Sequence, residues 1–251
     1  MHSEAMKLHF GQLARSYDKL RLPDDKRINL LVEKLVEAGD LRGRKVLDVG
    51  CGTGRTLSAL VLRYNVQGWG IDASPEMLEV ARAQVPPTVT LQQATVEALP
   101  FSESFFERVY MTMVVHLLNY SLAFPEIWRV LQPGGRIVIM TPDLISFERN
   151  WLAPLFPSYT RVEYERFPDR ATLEEALTRA GFTSISCLPL STSQTFSKED
   201  ALRKLSGRHV STFALLDNDE YQAGVARAEQ ELPETITSTQ DLLFISAVKT
   251  L

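Results

Sequence analysis

Cysteine is nearly absent from this chain of 251 residues, which has Cys51 and Cys187 and no others. Two so far apart cannot make a disulfide framework or a cysteine-rich zinc site, and their scarcity fits a reducing compartment. Long apolar runs are lacking too. No stretch reaches the roughly 18 apolar residues of a membrane span, and the first ten residues, MHSEAMKLHF, have no basic segment leading into an apolar one. The expectation is a cytoplasmic protein with no integral membrane association. Positive charge is in deficit: Lys+Arg 27 against Asp+Glu 31 gives a net charge of −4, whereas binding a phosphate backbone normally draws on a basic surplus. Nucleic acid is not an expected partner. His2, His9 and His209 make no metal-ligand spacing with each other or with either cysteine, so no metal is expected. Repeats, biased tracts and an evident linker are missing as well. At 45% hydrophobic and 23% charged, the chain can bury a sizeable core as a single domain, 1–251.

What is present has a rhythm. Residues 3–20 and 24–39 read as amphipathic helices, the second carrying Ile28, Leu31, Leu35 and Ala38 at helical spacing before Gly39. Beyond Gly43, strands at 45–49, 66–71, 89–94, 107–112 and 136–141 alternate with helices at 53–64, 75–85 and 124–131. Ser74 is placed to cap the helix that starts at Pro75. Such alternation needs right-handed crossovers and helices on both sheet faces, so the expected fold is α/β, a doubly wound Rossmann-like parallel layer. The rhythm lapses over 143–170, a stretch rich in aromatics and charge, and again over 195–232. Between these insertions lie a helix at 172–180 and a strand at 184–189, and a last strand covers 241–248. Both insertions follow late strands, on the side where open α/β sheets bind ligands.

Chemistry concentrates at Asp48-Val49-Gly50-Cys51-Gly52-Thr53-Gly54-Arg55, a glycine-rich turn between a strand and a helix. Glycine permits positive φ and close backbone approach, and the helix start offers free N–H groups to a polar ligand. Asp72, 22 residues beyond Gly50, ends the next strand, where an acid can accept hydrogen bonds from both hydroxyls of a ribose. Together these point to a nucleoside cofactor. The dinucleotide pattern G-x-G-x-x-G, started at Gly50, meets Arg55 in place of its third glycine, which disfavours a pyrophosphate.

Gly50-x-Gly52-x-Gly54 instead matches the D-x-G-C-G-T-G pattern of class I S-adenosylmethionine-dependent methyltransferases, unbroken from Asp48 to Gly54. The segments 70–78 (GIDASPEML), 97–101 (EALPF) and 129–136 (RVLQPGGR) continue the match. The chain resembles that family's small-molecule branch, which includes quinone-biosynthesis enzymes. The resemblance implies a seven-stranded, mostly parallel sheet with an N-terminal helical cap over 1–40, a cofactor-binding half over 41–142, and a substrate lid formed by 143–170 and 195–232. It also implies that Asp48, Gly50, Cys51, Gly52, Thr53 and Gly54 surround the methionine part of S-adenosylmethionine and that Asp72 binds its ribose. Ala73 and Met77 would flank adenine, and Met111 joins the cofactor set. The family commonly has Asp where Thr95 stands; the threonine hydroxyl or the Val96 N–H is left to receive adenine, or neither touches a ligand.

Tyr17, in Ala-Arg-Ser-Tyr17-Asp, resembles a tyrosine that approaches the cofactor's reactive end, with amphipathic packing as its alternative. His116, just past the fourth strand, is the candidate general base or simply a satisfied, partly buried histidine. Trp151, Phe156, Tyr159 and Tyr164 wall an apolar acceptor or form lid core. The implied activity is transfer of a methyl group to O, N or C of a small organic acceptor, by a monomer or homodimer. The nucleic-acid methyltransferase segment Asn/Asp-Pro-Pro-Tyr/Phe is missing after the fourth strand, where Tyr110-Met111-Thr112-Met113 stands. Two other classes stay open: a noncatalytic S-adenosylmethionine-binding or regulatory protein, suggested by Thr95 and by Glu107 in place of a usual Asp, and an NAD(P)-dependent oxidoreductase, against which Arg55 speaks.

Overall fold

The computed structural model describes residues 25–250. Helix α1 (Asp25–Gly39) precedes β1 (Lys45–Val49), α2 (Arg55–Tyr64), β2 (Gln67–Asp72), α3 (Pro75–Gln84), β3 (Thr90–Gln93) and β4 (Phe106–Thr112). Then come α4 (Tyr120–Val130) and β5 (Leu131–Pro142). The first insertion carries α5 (Ile145–Glu148) and α6 (Tyr159–Arg166), and α7 (Arg170–Arg179) leads into β6 (Phe182–Ser197). A second insertion with α8 (Lys198–Ser206) and α9 (Asn218–Glu231) precedes β7 (Thr235–Lys249). The strands form one sheet in the order β3-β2-β1-β4-β5-β7-β6. Within it β7 alone runs against its neighbours, pairing antiparallel with β5 and with β6. This is the doubly wound layer that the alternation predicts, with the seven, mostly parallel strands that the family resemblance implies.

Side chains alternate across the sheet because a strand has a period of two. Val109 and Met111 of β4, with Ile137 and Ile139 of β5, enter one core together with Phe124 and Ile127 of α4 and Leu173 and Leu177 of α7. Tyr110 and Val138 enter the opposite core, against Val32 and Leu35 of α1 and Leu60 of α2. Arg108 fixes α1 over the sheet. Its Nε donates to the Gly39 carbonyl at 2.8 Å and its Nη2 to Asp40 Oδ2 at 2.7 Å, satisfying a carbonyl at the helix C-terminus that has no partner within the helix. Ser74 caps α3 as its sequence predicts, with Oγ accepting from the Met77 N–H at 3.2 Å.

The last two strands are longer than their apolar patterns suggest. β6 and β7 pair from Phe182↔Lys249 out to Ser197↔Thr235, so residues 195–197 belong to a strand rather than to the second insertion. Most of the added positions are Ser, Thr or Gln, and hydroxyls meet across the pair, Ser193 and Thr239 at 2.9 Å, while Phe196 stands opposite Ile236 in a small apolar cluster. β-Branched threonine suits a pleated surface without supplying a hydrophobic signal. The two insertions pack on each other. Phe147, Leu152, Leu155, Phe156, Tyr159 and Phe167 of the first share a separate core with Leu205, Phe213 and Tyr221 of the second. No helix among the described residues is long and apolar enough to cross a membrane.

Candidate active site

Strand order reverses between β1, which pairs with β2, and β4, which starts the other half of the sheet. Open α/β sheets leave a crevice at such a switch point, beyond the strands' carboxyl ends. A cavity of about 1060 Å³ lies here. The turn after β1 lines it with Gly50, Cys51, Gly52 and Thr53, the β2–α3 junction with Asp72, Ala73 and Met77, and the segment after β3 with Thr95 and Val96. The loop after β4 contributes Val114, His116 and Leu117, while α1, α6 and β7 close the remaining side.

The turn's shape demands its glycines. Gly50, Gly52 and Gly54 all have positive φ, at 69°, 54° and 77°, the left-handed region that other residues enter at a cost of roughly 1–2 kcal/mol. A Cβ on Gly50 would stand 2.5 Å from Val114 Cγ2, and one on Gly54 would stand 2.5 Å from Val85 Cγ1. Over Gly52 there is open space instead, so a ligand can lie directly on its backbone.

Two carboxyl groups flank this turn, and Asp72 bonds to it. Asp72 Oδ2 accepts from the Gly52 N–H at 2.8 Å, and Oδ1 accepts from the Ser74 N–H at 2.9 Å. Burial raises the Asp72 pKa, opposed by bonds from the Ser74, Gly52 and Ala73 N–H groups. Asp48 is almost wholly enclosed. Its Oδ2 accepts from the Tyr110 hydroxyl at 2.6 Å, and its Oδ1 has no hydrogen-bond partner. Burial pushes its carboxyl up to about 7, against the Tyr110 bond and aided by the Asp72 charge. Burial likewise raises the Cys51 thiol, so it holds no thiolate at neutral pH.

A family model described as "Methyltransferase domain" matches residues 47–139. The demethylmenaquinone methyltransferase of Lactococcus lactis is 31% identical over 215 residues, covering 74% of this chain and 84% of that protein. The chain belongs to the S-adenosylmethionine-dependent methyltransferases. An O-methyltransferase of Penicillium expansum, cnsE, is 34% identical over 156 residues; 60% of this chain matches 56% of its length, so the chain spans little over half of that relative. Among solved structures, an Anabaena variabilis protein given as a methyltransferase from an antibiotic biosynthesis pathway has a TM-score of 0.70 at 20% identity, over 93% of this chain and 100% of that one. The geranyl diphosphate C-methyltransferase of Streptomyces coelicolor, solved with S-adenosyl-L-homocysteine, has a TM-score of 0.59 at 15% identity, over 93% and 84%. These two share the fold.

In this methyltransferase, Gly50, Cys51, Gly52, Thr53, Asp72, Ala73, Met77, Thr95, Val96 and His116 meet around the one cavity. Asp48, Gly54 and Met111 do not line it. Asp48 is enclosed with Tyr110, Gly54 faces Val85 and Ala81, and Met111 points into the sheet core. Tyr17 lies outside the described residues. Of the two readings of the first insertion's aromatics, the packing favours lid core, because Trp151, Phe156, Tyr159 and Tyr164 do not line the cavity. Trp151 packs on Phe196 and His209, and Tyr159 is buried in the core shared by the insertions. Tyr164 is exposed and gives its hydroxyl to Glu148 Oε1 at 2.5 Å. The insertions need apolar filling to pack on each other, and the aromatics supply it. From α6 it is Arg161, Val162, Glu165 and Arg166 that line the cavity. Glu107 also lies elsewhere, accepting from the Lys45 N–H at 2.9 Å and from Arg44 Nη1 at 3.0 Å. No group of three or more His, Cys, Asp or Glu suited to hold a metal occurs among the described residues.

Proposed function

We propose that this chain transfers the methyl group of S-adenosylmethionine to an O, N or C atom of a small organic acceptor. One conjunction carries this reading: Asp72 lines the cavity while bonded to Gly52, the turn residue with open space above it. An adenosyl thioether suits these groups. Ribose hydroxyls find carboxylate lone pairs at Asp72, and adenine finds Ala73, Met77 and the Thr95–Val96 backbone. The methionine part finds the backbone at Gly50, Cys51 and Gly52. When bound, the sulfonium supplies a methyl group that is already electrophilic.

The chain's own residues then orient the acceptor and exclude water, and orientation is worth up to ~7–11 kcal/mol of barrier. Strand order places β2 and β3 to one side of β1 and β4 to the other. Adenosine groups on the first side leave the acceptor the second, where Val114, His116 and Leu117 stand. His116 stacks on Phe167 at 4.0 Å between ring centroids, which holds it at the cavity wall as the candidate base for an acceptor proton. The two insertions, packed as one body, form the lid over that side, and 41–142 forms the cofactor half.

Calorimetric titration with S-adenosylhomocysteine tests the cofactor assignment. Asp72→Ala is expected to weaken binding at least tenfold, because ribose hydroxyls lose a charged acceptor; an unchanged Kd refutes it. Labelled methyl transfer into small-molecule extracts tests the activity, and binding without transfer to any fraction makes the protein a noncatalytic binder.

A further inference from the structure

The lid side of the cavity is apolar with a guanidinium set into it. Ile28, Leu117, Leu215 and Leu242 line it together with Arg161, Glu165 and Arg166 of α6. Arg161 Nη1 donates to Glu165 Oε1 at 2.9 Å, so those two exposed charges offset each other. Arg166 differs. Its side chain is 10% exposed, and its ion-pair partner is Glu163, whose Oε1 lies 3.4 Å from Nη1. That is longer than the ~2.7–2.9 Å of a charge-assisted bond. Its other partners, Thr212 Oγ1 at 3.1 Å and Ser211 Oγ at 2.9 Å, are neutral. Burial raises the Glu163 carboxyl, opposed by the Arg166 charge, and its Oε1 is shared between Arg166 and the Thr212 hydroxyl. A buried cation without full countercharge is costly unless something else supplies it.

A row of contacts links this charge to the glycine turn. Gly50 abuts Val114, His116 follows two residues later and stacks on Phe167, and the Arg166 guanidinium carbon lies 5.6 Å from the Phe167 ring centroid. The cavity sits at the top of the ~300–1,000 Å³ range for small-molecule sites, which leaves room for an acceptor beside the cofactor.

Resting on the methyl-transfer reading, we propose that the acceptor is an amphipathic small molecule whose anionic group, a carboxylate or a phosphate, is held by Arg166 while its apolar body lies against Ile28, Leu117, Leu215 and Leu242. Octanoate, octyl phosphate and octanamide, titrated into the full chain with and without saturating S-adenosylhomocysteine, test this. At least one anion is expected to bind at least tenfold more tightly than octanamide, the tighter of the two naming the source. Arg166→Gln is expected to erase that preference while leaving the S-adenosylhomocysteine Kd unchanged. Equal affinities, no binding of either anion, or a folded Arg166→Gln variant that keeps the preference would each overturn it. Where Arg166→Gln does not fold, the Arg166 15Nε resonance of the unaltered chain decides: it should shift with the anion and not with octanamide, and a resonance that ignores the anion overturns the assignment. Failure to bind S-adenosylhomocysteine sinks the cofactor assignment instead, because the anion preference is also read without it.

Discussion

Asp48→Asn should make the protein more stable above neutral pH. The Asp48 carboxyl is 1% exposed, and burial raises its pKa from the ordinary 3.8 to about 7. An acid whose pKa is higher folded than unfolded keeps a proton that the unfolded chain has already lost. Its contribution is therefore fully present below about pH 4 and is lost as pH rises to about 7. Three units at ~1.4 kcal/mol each amount to about 4 kcal/mol, of which about 3 kcal/mol falls between pH 5 and pH 8. Asparagine does not ionise, and its side-chain carbonyl can still accept the Tyr110 hydroxyl that now bonds to Oδ2. Urea unfolding of both proteins near pH 5 and pH 8, followed by circular dichroism, measures the effect. The variant's advantage should grow by about 3 kcal/mol between the two conditions. The same difference at both pH values would show that Asp48 is not protonated in the fold, and the reasoning from burial would fail.

Other substitutions probe separate parts of the structure. Gly54→Ala forces a non-glycine residue to φ 77° and a Cβ against Val85, so it should lower stability by more than the ~1–2 kcal/mol of backbone strain; an unchanged melting temperature refutes this. Gly224→Ala puts a Cβ 2.1 Å from Phe156 Cε1, and overpacking of ~1–3 kcal/mol should loosen the shared core of the insertions. Hydrogen exchange there should rise while exchange in β1 and β4 stays the same, and no local rise counts against it. His116→Ala should slow methyl transfer by ~10²–10⁴-fold if the imidazole takes the acceptor proton; an unchanged rate at every pH removes that role. Tyr164→Phe loses only an exposed bond to Glu148 and should leave turnover unchanged, whereas a large loss would return Tyr164 to the acceptor site.

The glycine turn was legible because its constraints are local. Positive φ at Gly50, Gly52 and Gly54 has to be written into consecutive residues, and the distance to Asp72 follows from one βαβ unit. The central strands β1, β4 and β5 were legible for a similar reason, being buried on both faces along most of their length. What escaped depends on long-range pairing. The outer rungs of β6 and β7 are mostly Ser, Thr and Gln, with Phe196 opposite Ile236, and only their mutual register makes them strands. The sequence left the first insertion's aromatics between acceptor wall and lid core, because aromatic content says that a segment buries surface, not what it buries against. Tyr159 and Phe156 turned to the other insertion, and Arg166, which looks like an ordinary surface arginine in the sequence, was left facing the cavity.

That mutual packing of the insertions constrains how the fold can diversify. Phe156 from one and Phe213 from the other have ring centroids 5.1 Å apart, and neither is accessible to water. Exchanging either segment alone with a relative would strand an apolar face, so new acceptor preferences should be grafted as a matched pair. The sheet half, with separate cores of its own, could receive such a cassette unchanged.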